Sequence, residues 1–188
     1  MIPLSAEKER DLVEALRRGK PSAKRFFYEQ YYRYVAAVCA RYARTDEDVK
    51  DLVQDVFIKI LSRFDTFENR GTGSLKAWVR RIAVNESLLR LRAENRMLTT
   101  PIDEYGDVPE PDQRPAIAEI PERELLAMIR RLPDRYRTVF NLYVFEEKSH
   151  QEIGDLLHIR HSTSASDLHR AKALLSQWIK DYRKNAER

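Results

Sequence analysis

Cysteine is almost missing from the 188-residue sequence, since Cys39 is the only one. A lone thiol excludes a disulfide framework and a thiolate-rich zinc or iron–sulfur site, and it suits a reducing compartment. Glycine is scarce as well, with 5 in the chain, while charged residues make up 34% and hydrophobic residues 43%. This is a folded, helix-rich composition. No apolar run approaches the roughly 18 residues of a membrane span, and Met1 to Lys8 turns charged too early for a signal peptide. The expectation is a cytoplasmic protein with no direct membrane insertion. At 22.2 kDa there is room for one ordinary domain or two small ones.

Charge is spread unevenly. Residues 1–95 carry 19 Lys and Arg against 14 Asp and Glu, residues 96–124 carry 3 against 8, and residues 125–188 carry 12 against 8. Two basic segments therefore flank an acidic one. Five of the 8 prolines, at 101, 109, 111, 115 and 121, also fall in the middle segment, where each removes a backbone donor and breaks a helix interior. We expect an all-α chain of two small helical domains, 1–96 and 122–188, joined by a flexible acidic, proline-rich linker at 97–121.

In the first domain, aromatics at 26, 27, 28, 31, 32, 34 and 42 suggest a core. Thr45 followed by Asp48 is an acidic variant of the capping box, and it opens a helix whose apolar residues at 49, 52, 53, 56, 57, 60, 61 and 64 form one buried stripe. The opposite face carries Glu47, Asp51, Gln54, Asp55, Ile58 and Ser62. From the pattern alone, a solvated face accounts for that row as readily as an interaction surface. After the Gly71-Thr72-Gly73 turn, Leu75, Trp78, Val79, Ile82 and Leu89 are expected on one helix face, with Arg81, Asn85, Leu88 and Arg92 along a neighbouring stripe. The turn lacks the Gly-Lys-Ser/Thr ending of a phosphate-binding loop.

The second domain opens with a helix that Pro133 ends, followed by a helix over about 135–146. Ser149-His150-Gln151-Glu152 is a full capping box for a short helix, His158 to His161 make a turn, and Ser162 is expected to cap the last helix. Leu168, Ala171, Leu175, Trp178 and Ile179 point inward on that helix, and Ser162, Thr163, Ser166, His169, Arg170 and Gln177 outward. A short helix, a tight turn and a longer helix with small polar and basic residues outward is the helix-turn-helix arrangement, whose second helix fits a DNA major groove. All four histidines (150, 158, 161 and 169) lie here, but no cysteine or carboxylate extends them into a known ligand set. No metal or other cofactor is expected. Recognisable catalytic motifs are also lacking, so the chain is expected not to be an enzyme.

Taken together, these segments resemble the extracytoplasmic-function class of bacterial RNA polymerase sigma factors over nearly the whole chain. Asp51-Leu52-Val53-Gln54-Asp55-Val56-Phe57 is similar to the family's second conserved region. The resemblance implies that Asp51, Gln54, Asp55 and Ile58 bind the beta-prime clamp helices of core polymerase. Lys76 to Asn85 resembles the helix that meets the melted minus-10 element, which implies DNA contacts for Trp78, Arg81, Asn85 and Arg92. Leu132 to Arg137 and the helix-turn-helix resemble the fourth region, which rests on the beta flap. There the resemblance implies minus-35 contacts for Ser162, Thr163, Ser166, His169, Arg170 and Lys172. It also implies an anti-sigma partner and an acidic linker that threads the polymerase's RNA channel. Three residues depart from the pattern: His158 stands at a turn glycine, and Ala165 and Asp167 replace basic or amide residues. Asp167 is expected at the outward edge of the recognition helix. The rival reading is a free-standing helix-turn-helix regulator binding duplex DNA as a dimer.

Overall fold

A computed structural model describes residues 5–94 and 120–186. Among the described residues there are eight α-helices, one short 3-10 turn and no strand. The chain divides into two compact units, residues 1–90 and 91–188, the division falling within the last turn of the helix Ser74–Ala93. Nearly all of the expected linker, 97–119, lies outside the described residues.

The first unit contains α1 (Ala6–Arg17), α2 (Pro21–Ala40), α3 (Asp46–Ser62) and α4 (Ser74–Ala93), with the 3-10 turn at Phe64–Thr66. Their boundaries follow from local chemistry. The Ser5 hydroxyl accepts from the Lys8 N–H, and Gly19, at φ +69°, takes a left-handed conformation that lets the chain reverse before Pro21 starts α2. At α3 the Thr45 hydroxyl accepts from the Asp48 N–H and the Asp48 carboxylate from the Thr45 N–H, each at 3.1 Å. Gly71 and Gly73, at φ +110° and +86°, form the turn into α4.

An aromatic cluster fills the core of this unit. Phe27 stacks on Tyr31 at 4.7 Å between ring centroids and meets Phe57 and Phe64 edge-on at 5.9 and 6.3 Å. Phe64, Phe67 and Trp78 continue the cluster at 5.3 to 5.9 Å, separations at which aromatic pairs attract beyond their area burial. Aromatic density overstates the core, however, since Phe26, Tyr28 and Tyr32 are exposed. On α4 the expected phase slips by one residue near its end. Leu88 is buried and Leu89 half exposed, because the stripe through Val84, Ser87, Leu88 and Leu91 keeps the 3.6-residue period. Cys39 is fully buried, and burial pushes its thiol up to about 12, so it is an inert core residue.

The second unit contains α5 (Glu122–Arg131), α6 (Asp134–Val144), α7 (His150–Leu157) and α8 (His161–Ala186). Leu132, Tyr136, Ala171, Leu174 and Leu175 form its core cluster, flanked by Met128, Ile129, Phe140 and Trp178. Arg137 is wholly buried beside them. Its guanidinium pairs with Asp134 and donates to the Arg130 carbonyl at 2.7 Å, so one cation serves the open C-terminal end of α5 and the start of α6. The Thr138 hydroxyl donates to the Asp134 carbonyl at 2.7 Å in the same knot.

Removing one member of a buried ion pair strands the other. Arg137→Ala is therefore expected to lower the stability of this unit by about 3–5 kcal/mol, read by denaturant unfolding. An unchanged midpoint would show that Arg137 does not hold α5 to α6.

Candidate protein and nucleic-acid interfaces

Three surfaces gather the residues singled out above. On α3, Leu52, Val53, Val56, Phe57 and Ile60 face the core, which leaves Asp51, Gln54, Asp55 and Ile58 outward. Ile58 is 68% exposed among carboxylates. Arg90 of α4 reaches this ridge, with its guanidinium nitrogens 3.7 Å from Asp48, 3.6 Å from Asp51 and 3.9 Å from Asp55. Such partly solvated pairs contribute little individually, but one guanidinium shared by three carboxylates fixes the ridge against α4. The side chains of Asp51 and Asp55 stay 57% and 61% exposed, open to a partner's cations.

On α4, Arg81, Asn85 and Arg92 are exposed, and spacings of four and seven residues place them on one stripe. Trp78 behaves differently. It is buried, with its ring packed on Phe64 and Phe67, so it is a core side chain and not a member of the exposed stripe, and it reaches the surface only as part of the lining of a cleft. Its apolar bulk is needed to close the aromatic cluster. A cleft of about 450 Å³ opens beside it, lined by Thr66, Phe67, Glu68, Arg70, Ser74, Ala77, Trp78 and Arg81. Aromatic edges, small polar groups and two guanidinium groups in one cleft suit a planar, hydrogen-bonding, anionic-backbone ligand. No residue pattern pointed to the cleft, because it is formed by the loop after the 3-10 turn folding back on α4.

The helix-turn-helix is built from α7 and α8. Ser149 and Glu152 complete a capping box, and Lys148 adds a 2.8 Å ion pair to Glu152. These hydrogen bonds, first that from Lys148, hold the Glu152 carboxyl down at about 2. His158 ends α7 at φ +56°, adopting the left-handed conformation that a turn glycine would take without strain. Gly154 lies against the backbone of the turn that follows α7. A Cβ there would lie 2.8 Å from the Ile159 carbonyl oxygen, so no larger residue fits.

Ser162 does not cap α8. The helix already includes His161, and the Ser164 N–H donates to the Arg160 carbonyl at 3.1 Å, which makes Ser162 a first-turn residue. Ser162, Ser166, His169 and Lys172 are exposed, and Thr163 is half-buried. Lys172 lies over the Tyr143 ring at 5.3 Å. Arg170 is half-buried and donates to the Tyr136 hydroxyl at 3.1 Å. His150 meets the Ser164 hydroxyl at 3.0 Å and stacks on Tyr143. Among the described residues no group of three or more His, Cys, Asp or Glu is placed to hold a metal.

Asp167 is the main correction. It is 1% exposed and faces inward, where Arg135 of α6 grips it through Nε at 2.9 Å and Nη2 at 3.0 Å. Burial raises its carboxyl pKa against the opposing pull of Arg135. The outward-edge expectation failed because the buried stripe through Leu168, Ala171 and Leu175 also passes through Ser164 and Asp167. Arg135 lies within the Leu132 to Arg137 segment but was given no role of its own, since only the fold brings it to Asp167 on α8.

Comparison with known proteins matches residues 27–97 to sigma-70 region 2 and residues 122–175 to sigma-70 region 4. The ECF RNA polymerase sigma-E factor of Haemophilus influenzae is 28% identical, over 89% of this chain and 93% of that protein. The RNA polymerase sigma-H factor of Pseudomonas aeruginosa is 27% identical, over 93% and 95% respectively. The ECF RNA polymerase sigma factor SigW of Bacillus subtilis is 25% identical, over 90% and 95%.

With Asp167 inside, Asp167→Ala is expected to destabilise the second unit by about 3 kcal/mol, since it leaves Arg135 unpaired in a largely dry site. Binding to a panel of duplexes differing at single base pairs should change by one common factor. A loss confined to one base pair would put Asp167 at the DNA after all.

Proposed function

The chain belongs to the extracytoplasmic-function class of sigma-70 factors, promoter-recognising subunits of RNA polymerase, and from that premise we propose a role for each of its exposed surfaces. The acidic ridge Asp51, Gln54, Asp55 and Ile58 docks on the beta-prime clamp helices. The α4 stripe and the adjoining cleft receive the separated minus-10 strand, with Arg81 and Arg92 neutralising phosphates and Asn85 reading a base. The first half of α8 enters the minus-35 major groove through Ser162, Thr163, Ser166, His169 and Lys172. Arg170 contributes from its position against Tyr136, and the second unit rests on the beta flap.

Domain limits of 1–96 and 122–188, with a linker at 97–121 in the RNA channel, follow from the same reading. Strand separation then draws on binding energy: unstacked bases are captured, not chemically altered, and bond formation belongs to the polymerase. The chain itself is no enzyme and needs no cofactor. It works in the cytoplasm, where polymerase and DNA are, and an anti-sigma protein restrains it by covering these faces.

The observation that carries this reading is Ile58, 68% exposed in the middle of a carboxylate ridge on an otherwise well-segregated helix. A solvated face has no use for that isoleucine, whereas a docking surface has. Asp51→Asn with Asp55→Asn keeps the side-chain shape and removes the charge. We expect the pair to weaken binding to sigma-free core polymerase by about 2 kcal/mol or more in a competition assay, with helicity unchanged. Equal affinity would reduce the ridge to solvated surface.

For the minus-10 surface, Arg81→Ala and Arg92→Ala in holoenzyme should each weaken single-stranded DNA of any sequence and lower the salt slope by about 0.7. Asn85→Ala should instead narrow the difference between the preferred base and its substitutes. A uniform loss with base preference intact would remove Asn85 from base reading.

A further inference from the structure

Helix α1 lies ahead of the segment that matches sigma-70 region 2, which begins at residue 27, and none of its residues entered the reading above. Yet it carries a buried carboxylate. Glu9 is 5% exposed, and its Oε1 accepts the Leu75 N–H at 3.2 Å while its Oε2 accepts the Gly73 N–H at 3.4 Å. Those two N–H groups belong to the entry of α4, where donors have no partner within the helix and the helix dipole favours a negative charge. Burial, with the Glu9 charge next in importance, pushes Tyr31 up to about 12.

Eight residues further along α1, about 12 Å by helix rise, Arg17 donates from Nη2 to the Phe67 carbonyl at 2.6 Å. Helix α1 thus grips the 67–75 loop at both ends. Between the two grips the loop is bonded mainly to itself: Gly71 N–H to Asn69 Oδ1 at 3.0 Å, Arg70 N–H to Ser74 Oγ at 3.2 Å, Ser74 N–H to the Gly71 carbonyl at 3.1 Å, Ser74 Oγ–H to Asn69 Oδ1 at 3.3 Å and the Arg70 guanidinium to Glu68 at 2.9 Å. Its two glycines, at φ +110° and +86°, add little stiffness. Phe67, Glu68, Arg70 and Ser74 of this loop form one wall of the cleft, and Ala77, Trp78 and Arg81 of α4 the other.

We propose that Glu9 and Arg17 are positioning residues for promoter recognition, setting the width of the base-binding cleft by holding the 67–75 loop against the entry of α4. This rests on reading the cleft as the seat of an unstacked base. Neither residue touches DNA. Each acts through the backbone it holds, so its effect falls on discrimination between bases more than on general attraction to DNA.

The test uses holoenzyme reconstituted with core polymerase and two single-stranded 12-mers. One is selected by the wild-type holoenzyme from a random pool, and the other is a scramble of it. The readout is the ratio of the two affinities. That ratio is insensitive to an inactive fraction of protein, so a variant that merely folds less well leaves it unchanged. Glu9→Gln and Arg17→Met should each lower the ratio about fivefold or more, with the scrambled oligomer bound as in wild type. Ala77→Leu, which fills the cleft directly, should lower it as well.

Should Ala77→Leu lower the ratio while both α1 variants keep it, the cleft reading stands and the positioning role is overturned. A ratio unchanged by Ala77→Leu would remove the cleft from base recognition and the proposal with it.

Discussion

An ionised side chain taken out of water has to be met by a partner, and this requirement fixes the helices of both units. In the second unit the burden falls on four consecutive residues. Asp134 and Arg137 close on each other and on the end of α5, Arg135 reaches Asp167 in α8, and Tyr136 receives Arg170 from the same helix. The start of α6 is therefore tied both to the helix before it and to the recognition helix. In the first unit Glu9 performs the equivalent task, since its buried carboxylate has to lie against the N-terminal donors of α4. Apolar packing alone would allow these helices to slide or rotate. A buried carboxylate held by a guanidinium or by helix-start N–H groups gives them one register.

Function follows from what those ties leave outside. With Asp167 held inward, α8 is rotated so that Ser162, Ser166, His169 and Lys172 come out together. With the stripe through Leu52, Val56 and Ile60 inward, the carboxylates of α3 form a single ridge, and Arg90 holds that ridge without covering it. Recognition of promoter and polymerase needs several weak contacts in a fixed spatial relation within each unit. Rigid presentation is what the buried charges supply.

Much of this was legible in the sequence because helix signals are local. The capping boxes at Thr45 and Ser149 and the break at Pro133 fall at helix ends of the structure, and the apolar period of α3 marks its core face except at the exposed Leu61. The failures came where polar residues occupy apolar phases. Asp167 sits on the period of Leu168 and Ala171, so phase indicated burial while residue type indicated solvent, and Glu9, which the sequence reading passed over, sits likewise on the period of Leu12, Val13 and Leu16. Phase won in both places, because a partner distant in sequence satisfies the charge. Trp78 departs in the opposite sense: a side chain suited to stacking on bases packs on Phe64 and Phe67 and meets the cleft only as part of its lining. The cleft beside it depends on a loop fold that no periodicity encodes.

The central claim is that this chain confers promoter choice on RNA polymerase through surfaces on both units. It is tested most directly by transcription of fragmented host genomic DNA with sigma-free core polymerase, with and without the protein, followed by mapping of RNA 5′ ends. The account predicts a set of start sites absent with core alone, sharing two short sequence blocks in the minus-35 and minus-10 regions. Identical 5′ ends with and without the protein, in a reaction where the protein co-elutes with core, would contradict it.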